Sequence, residues 1–155
     1  MDVNHINPII ESFMTVLPQL GLQNIVRKAV FVKGKNIESP GVVIIVGLIG
    51  DIKGNIIYGM TMDDAKIIAS RMMMGMPVND FDELAQSAIS ELSNMLTANV
   101  ATNYSEQNIS VNISTPTLIH GEFIANASID KVLCIQMGAN GTTIDVNISL
   151  EKNTL

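Results

Sequence analysis

The 155-residue sequence is poor in charge, in aromatics and in cysteine. Charged residues make up 15%, against roughly 25% in an average soluble domain. Its polar surface therefore rests on uncharged side chains, 15 asparagines prominent among them. The nine lysines and arginines are scattered, and net charge is −6. Nucleic-acid binding draws its affinity from cations set on phosphates, and a peripheral membrane patch needs a basic cluster, so neither partner is expected. The one cysteine, Cys134, makes no internal disulfide, in keeping with a reducing compartment. The longest apolar run is the ten residues GVVIIVGLIG at 41–50, and a spanning helix needs about 20. No basic region precedes a greasy run at the N-terminus, so a secretory signal is not expected and the expected location is the cytoplasm.

Standard catalytic constellations are missing too. His5 and His120 have no partner cysteines or carboxylates at zinc-binding spacing. There is no Gly-x-Ser-x-Gly elbow and no Walker loop. Cys134 sits inside VLCIQM and reads as a buried inert thiol. Asp63 and Asp64 open a helix, where acidic residues suit the dipole better than a metal site. An enzyme built from this chain takes much of its chemistry from another molecule.

What is present is a hydrophobic content of 47% and a mean hydropathy of +0.33. That excludes disorder and fits one domain with its own core. Apolar spacing predicts a helix over 8–20, with Pro8 in its first turn and Gly21 ending it. A strand is expected over 24–33, turn material over 34–41, and a buried central strand over 42–49. A turn at 50–54 leads back through a partner strand at 55–60. Thr61 and Asp64 resemble a capping box ahead of a second helix that Gly75 and Pro77 stop. Met72, Met73, Met74 and Met76 read as flexible core filling. Asp80 and Glu83 repeat the capping pattern before a long helix over 81–103. Alternation then predicts strands near 109–114, 121–128, 131–137 and 144–151, with Asn140-Gly141 as a tight hairpin turn. The closing strand carries Asp145, Asn147, Ser149 and Glu151 on a face expected to meet water or a partner. The expected fold class is α+β: a mostly antiparallel sheet packed with long helices.

The long helix holds the chemistry of interest. A helical projection groups Ala85, Ala88, Ile89, Leu92, Met95 and Leu96 as its core arc. Ser87, Ser90, Asn94, Ala98 and Ala101 form the opposite arc, with Glu91 at the border. A solvated helix face normally carries long charged side chains. A smooth arc bearing one amide and one carboxylate suits a surface that another protein covers.

The stretch from Ser87 through Glu91 to Asn94, followed by Pro116, resembles the signature of the CheC/CheX family of chemotaxis phosphatases. The flanking segments VNHINPIIESF, GLIGDIKGNIIYGM, ASRMMMGMP and STPTLIHG are similar to that family as well, so the likeness covers nearly the whole chain. The resemblance implies a single phosphatase domain of this family over residues 1–155, with a CheC-like fold. It implies hydrolysis of the phospho-aspartate of a CheY-type response regulator. Asn94 would enter the regulator's active site and orient the attacking water, and Glu91 would pair with the regulator's active-site lysine. Ser87 and Pro116 would support the motif. No cofactor of its own is implied; Mg²⁺ is expected to be held by the partner response regulator. A homodimer joined through sheet edges is also implied. Some relatives carry the motif twice, and here Asn7, Glu11 and Met14 hold the matching spacing on the first helix. Methionine cannot align water, so one active site per chain is expected.

These roles are chemically consistent. A neutral amide positions water without acting as a base, as the water-orienting glutamine of GTPases does. A carboxylate beside a phosphoryl group is repelled, by about 4 kcal/mol per unit charge at roughly 4 Å and an effective dielectric near 20. Glu91 must therefore sit against a cation. The alternative function is a non-catalytic docking module that binds response regulators or flagellar and signalling proteins.

Overall fold

The computed structural model describes residues 2–154. Helix α1 runs Val3–Val16 and continues as a 3₁₀ turn, Leu17–Leu20. Strands β1 (Val26–Lys33), β2 (Asn36–Glu38), β3 (Gly41–Gly50) and β4 (Ile52–Thr61) follow. Next come α2 (Met62–Met72) and α3 (Glu83–Ser105). The chain ends with β5 (Val111–Ile113), β6 (Thr117–His120), β7 (Ile124–Asn126), β8 (Val132–Ala139) and β9 (Thr142–Lys152). A seven-stranded sheet has the order β1-β8-β9-β4-β3-β5, with β6 also on β3, and every pairing is antiparallel. The fold class is thus α+β, as the alternating pattern implies.

The three helices pack on one face of this sheet. Alternate residues of β3, β4 and β9 (Val42, Ile44, Val46; Ile56, Tyr58; Val146, Ile148) meet Ile9, Phe13, Ile68, Ile89, Leu92 and Leu96 in one core. The opposite face is roofed by the two-stranded β2–β7 sheet, under which Ile37, Val43, Ile57, Ala125, Ala127 and Val132 form a second cluster.

Several local expectations need correction. Helix α1 starts at Val3, five residues before Pro8, because the Asp2 carboxylate caps it by accepting from Asn4 N at 2.8 Å, and Pro8 lies inside the helix. The β3–β4 turn is only Asp51, since Ile52 is buried and Lys53 already pairs with Glu151 of β9. Thr61 does cap α2 through Asp64 N at 3.1 Å, but the Asp64 carboxylate accepts from Thr143 N at 3.0 Å instead of completing the box. The cap of α3 is Asp82, accepting from Ala85 N at 2.9 Å, and the helix extends to Ser105. Met72 and Met73 do fill the core margin. Met74 and Met76 are 97% and 59% exposed, because α2 has ended and the chain turns with Met74 at φ 59°. The closing strand lies inside the sheet between β4 and β8, and Asn147 and Ser149 are buried beneath the β2–β7 roof. It therefore offers no joining edge. The hairpin turn stands as expected, with Asn140 at φ 51° and Gly141 at φ 79°.

Candidate active site

Helix α3 spans about 35 Å across the sheet. Its buried face comprises Ala85, Ile89, Leu92, Ser93, Leu96, Thr97, Val100 and Tyr104. The two hydroxyl residues belong there because each donates back to its own helix. Ser93 Oγ bonds Ser90 O, and Thr97 Oγ1 bonds Ser93 O, both at 2.8 Å. Ala88 and Met95 are only half-buried. The core arc is therefore rotated toward Ser93 and Thr97, and Glu91 stands within the exposed face instead of at its border. Ser87, Glu91, Asn94 and Ala98 are all exposed on that face.

Asn94 sits between two depressions. One, of about 470 Å³, is lined by Glu83, Gln86, Ser87, Ser90, Glu91, Asn94 and Leu118. The other is lined by Asn94, Ala98, Ile113, Ser114, Thr115 and Pro116. The far wall comes from the sheet edge. Strands β5 and β6 share the outer edge of β3, pairing with residues 48–50 and 42–45 respectively. Between them the chain leaves β3 and passes in front of α3. Gly47 pins this loop, since Gly47 N donates to Ser114 Oγ at 2.8 Å and Ser114 N donates to Gly47 O at 2.9 Å. The Phe81 and His120 rings meet edge-on at 5.7 Å and tie the start of α3 to the end of β6. Pro116 lines the same depression as Asn94. The sequence did not reveal Ser114 and Leu118 as part of this wall; β6 is too short to leave a periodic signal.

Among the described residues, no side chain of this chain hydrogen-bonds or ion-pairs with Glu91 or Asn94. The cleft holds two carboxylates, Glu83 and Glu91, and no lysine, arginine or histidine lines either depression. No group of three or more histidine, cysteine or carboxylate residues that could hold a metal occurs among the described residues. Such a cleft repels a free phosphate ester. It suits a partner that brings its own cations.

The other sequence-predicted residues fall elsewhere. On α1, Asn7, Glu11 and Met14 are exposed, with Met14 in the amide position. Cys134 is buried, and burial pushes its thiol up to about 11, which keeps it protonated and inert near neutrality. A larger cavity beside α2, lined by Lys66, Ser70, Arg71 and Met74, contains none of the candidate residues.

The family model described as chemotaxis phosphatase CheX matches residues 42–137, a span that includes Ser87, Glu91, Asn94 and Pro116. The CheY-P phosphatase CheX of Thermotoga maritima is 34% identical over 155 residues, covering 98% of this chain and 99% of that protein. A CheX–CheY–BeF₃–Mg²⁺ complex from Borrelia burgdorferi contains a chain with TM-score 0.81 and 26% identity, covering 97% of this chain and 100% of that one. A CheC-like superfamily protein from Shewanella sp. PV-4 has TM-score 0.85 at 21% identity, covering 97% and 99% of the two chains, and shares the fold.

Proposed function

The chain belongs to the CheX family of chemotaxis phosphatases, and we propose that it hydrolyses the aspartyl phosphate of a CheY-type response regulator with Asn94 and Glu91 as its working residues. The observation that carries this reading is the free Asn94 amide on an exposed, cation-free face of α3, with Glu91 one turn away.

The regulator supplies the phosphoaspartate, the Mg²⁺ and a lysine; this chain supplies position. Asn94 Oδ1 accepts a hydrogen bond from the water and Nδ2 donates toward the phosphoryl oxygens. The water oxygen bonds to phosphorus as the acyl-phosphate P–O bond breaks. The aspartate carboxylate and inorganic phosphate leave, and the water's proton passes to phosphate or solvent. Alignment of this kind is a large part of what phosphoryl transfer needs. Glu91 pairs with the regulator's lysine, which cancels its repulsion of the phosphoryl group and sets the register of docking. Where Mg²⁺ is held by the regulator, it neutralises charge on the transferring group.

One core links α1 to β9, and we read residues 1–155 as a single phosphatase domain. A homodimer is also part of the proposal. Strand β1 is one edge of the sheet, paired only with β8 among the described residues, and Val26, Val30, Phe31 and Val32 are 43–61% exposed along it. An open edge with exposed apolar residues is a template for strand pairing. No helix among the described residues is long and apolar enough to cross a membrane. The reading locates the protein in the cytoplasm, with its regulator. Phosphate release from labelled regulator, with and without the protein, tests the activity; binding without release would instead make it a docking module.

A further inference from the structure

The ridge of α3 that carries Glu91 and Asn94 begins with an apolar residue. Steps of three and four along the helix give Leu84, Ser87, Glu91 and Asn94. Leu84 is 59% exposed. It shares a depression with Met76, also 59% exposed, beside Asp80 and Asp82. Its neighbour Glu83 lines the Glu91–Asn94 cleft, so the two depressions adjoin at the first turn of α3. Asp80, Asp82 and Glu83 are exposed and form an acidic collar around the apolar pair. Scattered single exposed hydrophobes are ordinary; here two lie together at the mouth of the candidate cleft.

Distance makes this position consequential. Leu84 lies ten residues before Asn94, about 15 Å along the axis. A standard protein interface covers about 800 Å² on each partner, a disc of radius about 16 Å. A receiver domain centred on Asn94 with that footprint reaches Leu84.

We propose that Leu84 and Met76, collared by Asp80, Asp82 and Glu83, anchor the receiver domain of the response regulator when Asn94 enters its active site. This rests on the phosphatase reading above. The matching surface is an apolar side chain ringed by lysines or arginines, next to the regulator's phosphorylation site. Charge complementarity runs in one direction along the ridge, since Glu91 and the collar all call for cations. Met76 gives the anchor a side chain that adapts to the surface it meets.

The test compares wild type with Leu84→Gln, Met76→Gln and the double variant. The substrate is the phosphorylated CheY-type regulator, among those of the same organism, that wild type dephosphorylates fastest. Binding is measured separately with that regulator locked by beryllofluoride and Mg²⁺. The double variant should raise KM and Kd about tenfold, as loss of a buried apolar contact does, with kcat within twofold. Asn94→Ala should show the reverse, losing kcat while binding survives. Unchanged KM and Kd would overturn the proposal, and so would a fall in kcat at constant KM. A change in self-association with regulator binding intact would also overturn it, by assigning the patch to a second copy. If wild type dephosphorylates none of the regulators, the phosphatase reading itself has failed, and the anchor falls with it.

Discussion

The hydroxyls of Tyr58 and Thr97 meet at 3.0 Å beneath α3. Tyr58 comes from β4 and is fully buried against the Phe13 ring. Thr97 lies one turn past Asn94 on the adjoining buried ridge. The bond ties the buried side of α3 to β4, while Asn94 on the same helix stays exposed.

Removing the Tyr58 hydroxyl should therefore cost stability before activity. Tyr58→Phe leaves Thr97 still bonded to Ser93 O, so the expected loss is about 1 kcal/mol. Apolar packing keeps the helix in place, so kcat should stay within twofold. Denaturant titration of Tyr58→Phe, Thr97→Val and the double variant should give a coupling near the same magnitude. Strict additivity would rule out the coupling.

Alkaline pH should unfold the protein early. Burial pushes the Tyr58 and Tyr104 hydroxyls above the usual phenol range and the Cys134 thiol up to about 11. As pH climbs, the unfolded chain releases protons that the native state retains, so stability is full below the unfolded values and lost above them. Melting temperature should be level up to about pH 8.5, the ordinary thiol value, and fall beyond it. Cys134→Ala should shift the onset of that fall toward pH 10. An onset unmoved by Cys134→Ala would contradict the thiol's part.

The equivalent of Asn94 on α1 is Met14, exposed but without polar atoms able to align water. Met14→Ala should leave regulator dephosphorylation within twofold of wild type. A large loss of activity would show that α1 works in catalysis after all.

Glu91 should depend on charge and not on size. Glu91→Gln is expected to raise KM severalfold by removing the partner of the regulator's lysine, and Glu91→Lys to weaken both binding and turnover further through like-charge repulsion. The wild-type rate should fall with added salt, and Glu91→Gln should fall less steeply. Equal salt dependence would contradict the ion pair.

The homodimer is expected to use β1. Val30→Lys and Val32→Lys place charges on the exposed edge and should give monomers by light scattering, with melting temperature little changed. Dimers that persist in the double variant would move the interface elsewhere.

Much of this architecture was legible in the sequence where regular periodicity is long. The β3–β4 pair, α3 and the Asn140–Gly141 hairpin all follow from local pattern, and Glu91 and Asn94 are singled out by the family resemblance alone. The β2–β7 roof was not legible. Its strands are three residues each and pair across nearly ninety positions of chain, so neither shows a period. Because of that roof, Asn147 and Ser149 are buried on a face that alternation assigns to solvent. The burial of Ser93 and Thr97 was hidden for another reason: their polarity is spent within the helix, which leaves them free to pack. Leu84 is hydrophobic, yet its position on the Glu91 ridge turns it outward.

The most direct test is phosphate release from pre-phosphorylated regulator in single turnover, comparing wild type with Asn94→Ala at saturating protein. The account predicts that wild type accelerates release by at least a hundredfold over the regulator alone, as positioned catalysis can, and that Asn94→Ala falls back close to the unassisted rate while still binding. Release by Asn94→Ala at the wild-type rate would contradict it.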